Sequence, residues 1–342
     1  MKLAMQIDYA GDILKTVELV RVFEEAGLDM VFVAEAYGFD AVSILGYLSA
    51  KTNRVALGPG ILPIFSRTPA LIGQTAAGLD YVSSGRAILG LGASGPQVIE
   101  GWHGVAYDRP VARTREVVDI CRRVWARERV ENNGIYRIPF AGGTGLGKPL
   151  KLITTPLRSR IPIYLAAIGS ANVKMAAEIA EGWLPIFFWP EKYAEVWGEP
   201  IKAGKQERSG ELGDLDIVAG GAVAIGASVG SVKEAVASTI ALYVGGMGAR
   251  SRNFYNELFC RYGNEDMAAE VQELYLSGRK AEAARRIPEE VISSLNLVGD
   301  AGHVKERLRA YEAVGVTTLM VQPAGPDPLG SFKILRSLVD GL

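Results

Sequence analysis

Amphipathic stretches and unbroken apolar runs alternate along the chain, and at five places the junction between them carries Gly or Asn. Glu24-Glu25-Ala26-Gly27 leads into residues 28–33, Ala50-Lys51-Thr52-Asn53 into 54–57, and Ser83-Ser84-Gly85 into 86–91. Ala180-Glu181-Gly182 leads into 183–188, and Glu312-Ala313-Val314-Gly315 into 316–321. Gly and Asn enter left-handed backbone cheaply, which is what a helix needs just past its end. Runs that are apolar at every position suit strands buried on both faces, as in a parallel sheet. Repeated units of this kind predict a site at the carboxyl ends of the strands, before any catalytic residue is named.

The pattern predicts eight strands, near residues 2–8, 28–35, 54–62, 86–92, 161–167, 183–188, 216–225 and 316–322, with helices between them. The first helix carries Ile13, Val17, Val20 and Phe23 on one face behind Asp12 as N-cap. The third opens with Thr68-Pro69, an N-cap followed by proline at the first helical position. The closing helix falls around residues 331–339. Two stretches break the rhythm. Residues 127–160 contain Asn132-Asn133-Gly134 and the glycine-rich run 142–147, and read as a mobile excursion after the fourth helix. Residues 230–298, between the seventh and eighth strands, read as an all-helical insertion, with segments near 254–261, 266–276 and 281–285, that covers the barrel mouth or a subunit contact. The expected architecture is α/β: one (β/α)8 TIM barrel spanning residues 1–342 with these two insertions. An open doubly wound sheet is the alternative.

Composition narrows this. At 342 residues the chain exceeds the roughly 250 of a typical barrel but suits one with insertions. It is 49% hydrophobic and 22% charged, with a net charge of −1, so no long-range field would draw nucleic acid or an anionic membrane. Two cysteines, Cys121 and Cys260, suit a reducing cytoplasm. The first residues read as a strand, not a signal peptide, and no uncharged run reaches the ~18 residues of a membrane span.

Chemistry concentrates at the predicted strand ends. Gly58-Pro59-Gly60-Ile61-Leu62-Pro63 puts two glycines and two prolines into one strand, which predicts a bulge, a strand end, or a bend against a flat ligand. After the next strand, Ala93-Ser94-Gly95-Pro96-Gln97 leaves space and exposed amides, but it is neither a Rossmann fingerprint nor a Walker loop. Ile168-Gly169-Ser170 opens a helix whose first amides form an anion site or an ordinary turn. Asp8 and Glu35 are carboxylates at strand ends, each fit for a site, an arginine pair or a cap. Of the two histidines, His303 falls on a helix face, while His103 lies in a loop near the mouth. Tyr37, Phe65, Trp102, Phe187, Phe188 and Trp189 form an apolar rim suited to a planar cofactor and an apolar substrate, with one of Phe187 and Phe188 expected in the core. Two distant His and two distant Cys make no closed metal site, and no nucleophile elbow is present.

Together, Val33-Ala34-Glu35-Ala36-Tyr37-Gly38, the 58–63 segment, Arg67-Thr68-Pro69-Ala70 with Gln74-Thr75-Ala76, residues 92–97 before Glu100-Gly101-Trp102, and Ala166-Ala167-Ile168-Gly169-Ser170 resemble the luciferase-like monooxygenase superfamily. Within it they resemble the coenzyme F420-dependent oxidoreductases, over nearly the whole chain. The resemblance implies a barrel holding a flavin-like ring at the carboxyl ends of its strands. It implies a non-prolyl cis peptide at Gly60–Ile61 backing the ring, cofactor phosphate on the amides of Ile168, Gly169 and Ser170, and Ala93 to Gln97 bordering the site. Asp8 is a further candidate cofactor contact. Many such dehydrogenases carry Asp-His where this chain has Glu35-Ala36, so Glu35 becomes the candidate acid–base or orienting group. Tyr37, Trp102, His103, Phe187 and Phe188 are the candidate substrate contacts.

The expected function is therefore hydride transfer between F420 and a small organic substrate in a cytoplasmic homo-oligomer. The alternative is a two-component monooxygenase using reduced FMN from a partner reductase. A flavin-binding barrel without activity is the third reading.

Overall fold

Residues 1–7, 11–226 and 229–342 are described by the structure, a computed structural model. Its strands are β1 (Lys2–Ile7), β2 (Met30–Val33), β3 (Ala56–Pro59), β4 (Leu62–Pro63), β5 (Leu89–Gly92), β6 (Asn132–Asn133), β7 (Arg137–Ile138), β8 (Ile163–Ala166), β9 (Gly182–Leu184), β10 (Asp216–Ile225), β11 (Leu297–Gly299) and β12 (Thr318–Pro323). Apart from the small β6–β7 hairpin they form one parallel sheet in the order β3-β2-β1-β12-β10-β9-β8-β5-β4, with β11 added on β10. β3 and β4 are two halves of one stave, interrupted at Gly60–Ile61. Leu57 N–H donates to Arg86 O at 2.9 Å and Ile88 N–H donates to Leu57 O at 2.8 Å, which joins the two edges of the sheet. The sheet is thus a barrel of the (β/α)8 kind, and the open-sheet alternative falls.

The helices are α1 (Ile13–Glu25), α2 (Ala41–Lys51), α3 (Pro69–Val82), α4 (Pro96–Gly101), α5 (Pro110–Trp125), α6 (Ser170–Ile179), α7 (Glu199–Glu207), α8 (Gly230–Gly246), α9 (Phe254–Arg261), α10 (Glu265–Leu276), α11 (Lys280–Arg285), α12 (Glu289–Leu295), α13 (Ala301–Ala313) and α14 (Pro328–Asp340). Their starts follow local chemistry. Asp12 caps α1 through Lys15 N–H, Thr68 caps α3 ahead of Pro69, and Asp327 caps α14. Among the described residues no helix is long and apolar enough to cross a membrane.

Strand alternation sorts the apolar side chains into two cores. Leu3, Val31, Leu57, Leu89, Leu165, Trp183 and Leu319 face the helices and pack on residues such as Val17, Leu45, Ile72 and Leu335. Ala4, Met30, Phe32, Ile88, Tyr164, Leu184 and Val218 fill the barrel, with Ala56, Ile61, Ala166 and Met320 packed on them. The barrel is a filled core, and any ligand must sit above it.

Three expectations are corrected. Gly27, Gly85 and Gly315 do adopt positive φ, but Asn53 and Gly182 do not. Thr52 ends α2 by donating its hydroxyl to Leu48 O, and the Glu24 carboxylate accepts from Asn53, Arg54 and Val55 N–H, so no left-handed residue is required there. The 230–298 insertion is not all helical, because it ends in β11, paired with β10 at Val223↔Leu297. The strand expected over 183–188 stops at Leu184, and Phe187 turns to φ 50°.

Candidate active site

At the carboxyl end of the barrel the interrupted stave comes first. The Gly60–Ile61 peptide is cis, as the resemblance implied. Four glycines let this stave approach its neighbour. A Cβ on Gly58 would lie 2.7 Å from Ile88 O, and one on Gly90 would lie 1.9 Å from Pro59 O. One on Gly60 would meet Phe32 Cβ at 2.9 Å, and one on Gly92 would meet Ile61 at 3.0 Å. Gln6 Nε2 donates to Gly60 O at 3.1 Å. The result is a close-packed shelf of small residues with a backbone carbonyl pinned from β1.

Beside it, the loop after β5 holds Ser94 at φ 58°, and Tyr107 Oη donates to Ser94 O at 3.2 Å. The Tyr107 ring lies 5.2 Å from that of Phe65. Burial pushes the Tyr107 phenol up, opposed by the Arg252 charge from the α8–α9 connection. Pro96 and Gln97 open α4, whose N-cap is Gly95. Ala93 to Gln97 therefore form one continuous rim segment.

After β8 the chain turns directly into α6. Gly169 is its N-cap and provides no side-chain bond to the first turn. Gly169, Ser170 and Ala171 are exposed, and among the described residues nothing beyond the adjoining chain lies within 4 Å of where a Gly169 Cβ would stand. The first N–H groups of this ten-residue helix thus belong to exposed residues with no side-chain cap, a setting suited to an anion. Ile168 O is held from outside by Arg261 Nη1 at 3.1 Å and Trp197 Nε1 at 3.2 Å. Arg261 comes from α9, so the insertion braces this loop.

The other candidates divide. Glu35, with a side chain 7% exposed, pairs bidentately with Arg67 and accepts from Ala41 N–H at 2.9 Å. Its carboxylate ties the loops after β2 and β4 together. Tyr37 and Trp102 are 60% and 66% exposed with ring centroids 6.5 Å apart, an open aromatic lip. His103 is half-buried, and its Nε2 is buried with no hydrogen-bond partner among the described residues. Phe187 is half-buried against Tyr243, Tyr255 and Phe259 of the insertion, with Tyr262 Oη donating to its carbonyl at 2.7 Å. Phe188 is the correction: it is fully buried, stacked on Trp197 at 5.4 Å and edge-on to Trp183, and belongs to the core outside the barrel. Asp8 lies outside the described residues. Among those residues, no cluster of three His, Cys, Asp or Glu could hold a metal.

Reasoning from sequence did not single out Gln6, Tyr107 or Arg261. Gln6 carried a signal, a polar residue in an otherwise apolar strand. Arg261 carried none, because its partner lies 93 positions away.

Comparison with known proteins agrees with this geometry. A sequence profile of the family described as luciferase-like monooxygenase matches residues 2–318. A Mycobacterium tuberculosis protein, whose name provisionally places it among the coenzyme F420-dependent oxidoreductases, is 45% identical over 98% of this chain and 99% of its own. A 5,10-methylenetetrahydromethanopterin reductase of Archaeoglobus fulgidus is 28% identical over 92% of each chain. The solved structure of the coenzyme F420-dependent tetrahydromethanopterin reductase of Methanopyrus kandleri superposes with a TM-score of 0.81 at 24% identity, over 98% of this chain and 96% of its own.

Proposed function

The chain belongs to the luciferase-like monooxygenase family, and we propose that it acts there as a coenzyme F420-dependent oxidoreductase on a small organic substrate. The observation that carries this reading is the pairing, at one end of the barrel, of a glycine shelf at Gly60–Ile61 with an open helix start at Gly169–Ser170. A planar ring needs the first and its phosphate needs the second. The nearly full-length likeness to a protein whose name provisionally places it among the F420-dependent oxidoreductases adds independent support.

When bound, the deazaflavin supplies hydride transfer at its C5. The chain's own residues do the positioning. Gly60 and Ile61 back one ring face, Ala93, Ser94, Gly95, Pro96 and Gln97 border it, and Ile168, Gly169 and Ser170 hold the phosphate. Tyr37, Trp102, His103 and Phe187 surround the substrate. Glu35 acts through Arg67, orienting the two loops that frame the mouth, since both its oxygens are engaged there. In this reading the working form is a cytoplasmic homo-oligomer.

Parallel titrations with F420 and FMN, followed by tryptophan quenching, test the proposal. F420 should bind at least about tenfold tighter, a difference of about 1.4 kcal/mol. Tighter FMN binding, with oxygen uptake on reduced FMN, would replace it with the monooxygenase reading. Gly169→Asp sharpens the result. The site has φ −72° and ψ 147° and open space around it, and Asp is a good N-cap, so folding should hold. The added carboxylate should weaken F420 by about tenfold or more through repulsion of the phosphate. Unchanged affinity would remove this loop from the site.

A further inference from the structure

Among the described residues the barrel interior is closed at its amino-terminal end by Tyr164 hydrogen-bonded to Asp216, is apolar through its middle, and near its open end carries two carboxamides on adjacent strands. On β1, Leu3, Met5 and Ile7 pack toward the helices while Ala4 belongs to the interior cluster, so Gln6 shares the interior face. On β12, Leu319 and Val321 pack outward and Met320 inward, which puts Gln322 on the interior face one step higher. The two strands pair with Ala4↔Met320 and Met5↔Val321, and continuing that register sets Gln6 beside Gln322. Gln6 is half-buried and reaches Gly60 O, whereas Gln322 is exposed at the mouth. The other described residues of this floor, Phe32, Gly60, Ile61, Gly92, Ala166 and Met320, are apolar or lack a polar side chain.

Polar side chains on an apolar floor cost free energy unless they find partners, and a carboxamide offers two donor protons and an acceptor oxygen. The Gly60 contact uses one proton of Gln6. The remaining functions match an edge that alternates carbonyl and N–H, which is the chemistry of a pyrimidinedione. Resting on the cofactor reading above, the geometry points to Gln6 and Gln322 as the residues that recognise the carbonyl–imide edge of the bound tricycle and set its orientation on the glycine shelf. They are positioning residues for the ring. No other described residue of this floor presents a side-chain donor and acceptor together.

The experiment measures F420 binding and the absorption band of bound F420 in wild type, Gln322→Leu and Gln6→Leu. It also uses an F420 derivative methylated at the imide nitrogen. Gln322→Leu decides the matter, because it leaves the Gln6–Gly60 contact intact and alters an exposed position. Expected are a five- to tenfold (roughly) weaker F420 affinity in each variant and a bound absorption band moved toward that of free F420. Imide methylation should weaken binding to wild type by a similar factor but add little in Gln322→Leu. A merely structural role would leave that methylation effect the same in both proteins. Wild-type affinity and an unshifted band in Gln322→Leu would overturn the inference while leaving the F420 reading standing. Failure of wild type to bind F420 at all would remove that reading and this one with it.

Discussion

At the amino-terminal end of the barrel, Tyr164 Oη donates to Asp216 Oδ2 at 2.6 Å, while the hydroxyls of Thr317 and Thr318 donate to Oδ1 at 2.5 and 2.8 Å. At the same end, the buried Glu24 carboxylate accepts from three successive amides just before β3. At the carboxyl end the start of α6 is exposed and has no side-chain cap, Ser94 and Phe187 hold left-handed backbone, and Tyr37 and Trp102 stand exposed. The polar groups named at the amino-terminal end are satisfied internally, whereas the carboxyl end, beside closed pairs such as Glu35–Arg67, keeps an uncapped helix start and exposed aromatics. A face whose hydrogen bonds are closed contributes stability, and a face that keeps donors open can bind.

Three perturbations test that division, in order of expected effect. Gly90→Ala strikes the shelf between the ends, where its Cβ would fall 1.9 Å from a backbone carbonyl with no flexible side chain to yield. It should cost about 3 kcal/mol in urea unfolding and weaken F420 as well, because the stave must shift. Native stability in this variant would show that the two strands are not in such close contact.

Tyr164→Phe strikes the closed end alone. Removing the hydroxyl leaves Asp216 Oδ2 one donor short and should cost about 1–2 kcal/mol of stability. F420 affinity should stay within about twofold, or ~0.4 kcal/mol. A parallel loss of affinity would mean that the two ends are not separable. Burial, then the Asp216 charge and hydrogen bond, holds this phenol well above its usual range, so it stays protonated at every pH of interest.

The smallest effect is the acid response of Glu24. Burial raises its pKa, but the amides of Val55, Arg54 and Asn53 and the Arg54 charge outweigh that, and the net shift is downward from 4.5. A depressed folded-state pKa means stability present in full above the unfolded value and lost as pH falls through the folded one. Urea midpoints measured downward from about pH 6 should decline below the ordinary glutamate range. In Glu24→Gln that decline should be shallower, from a lower starting stability. An identical acid limb in both proteins would take Glu24 out of the closed end's account.

Much of the barrel was legible from local chemistry. All eight predicted staves exist within a few residues of their expected bounds, because a run apolar at every position has few places to go except a strand covered on both faces. The N-caps Asp12 and Thr68 were legible for the same reason: their hydrogen bonds span three residues. The shelf was visible as Gly58-Pro59-Gly60, and the open helix start as Gly169-Ser170. One of Phe187 and Phe188 does lie in the core, as alternation predicts, but which one was not legible. The strand ends at Leu184 and Phe187 turns to left-handed backbone, so Phe188 was also counted as a substrate contact. The Glu35–Arg67 pair was half legible, with both residues noted and their contact not.

Sequence alone, then, determined the order of the eight staves, the N-caps at Asp12 and Thr68, and the small residues that make up the glycine shelf. These depend on interactions between residues three or four apart, or on composition along one strand. Tertiary structure decided which polar groups are closed and which are open. Asp216 finds Tyr164 at a separation of 52 positions, Arg261 finds Ile168 at 93, and Gln6 finds Gly60 at 54. Such partners are assigned by the closure of the barrel, since only the register of its staves and the packing of the insertion bring distant side chains within hydrogen-bonding reach.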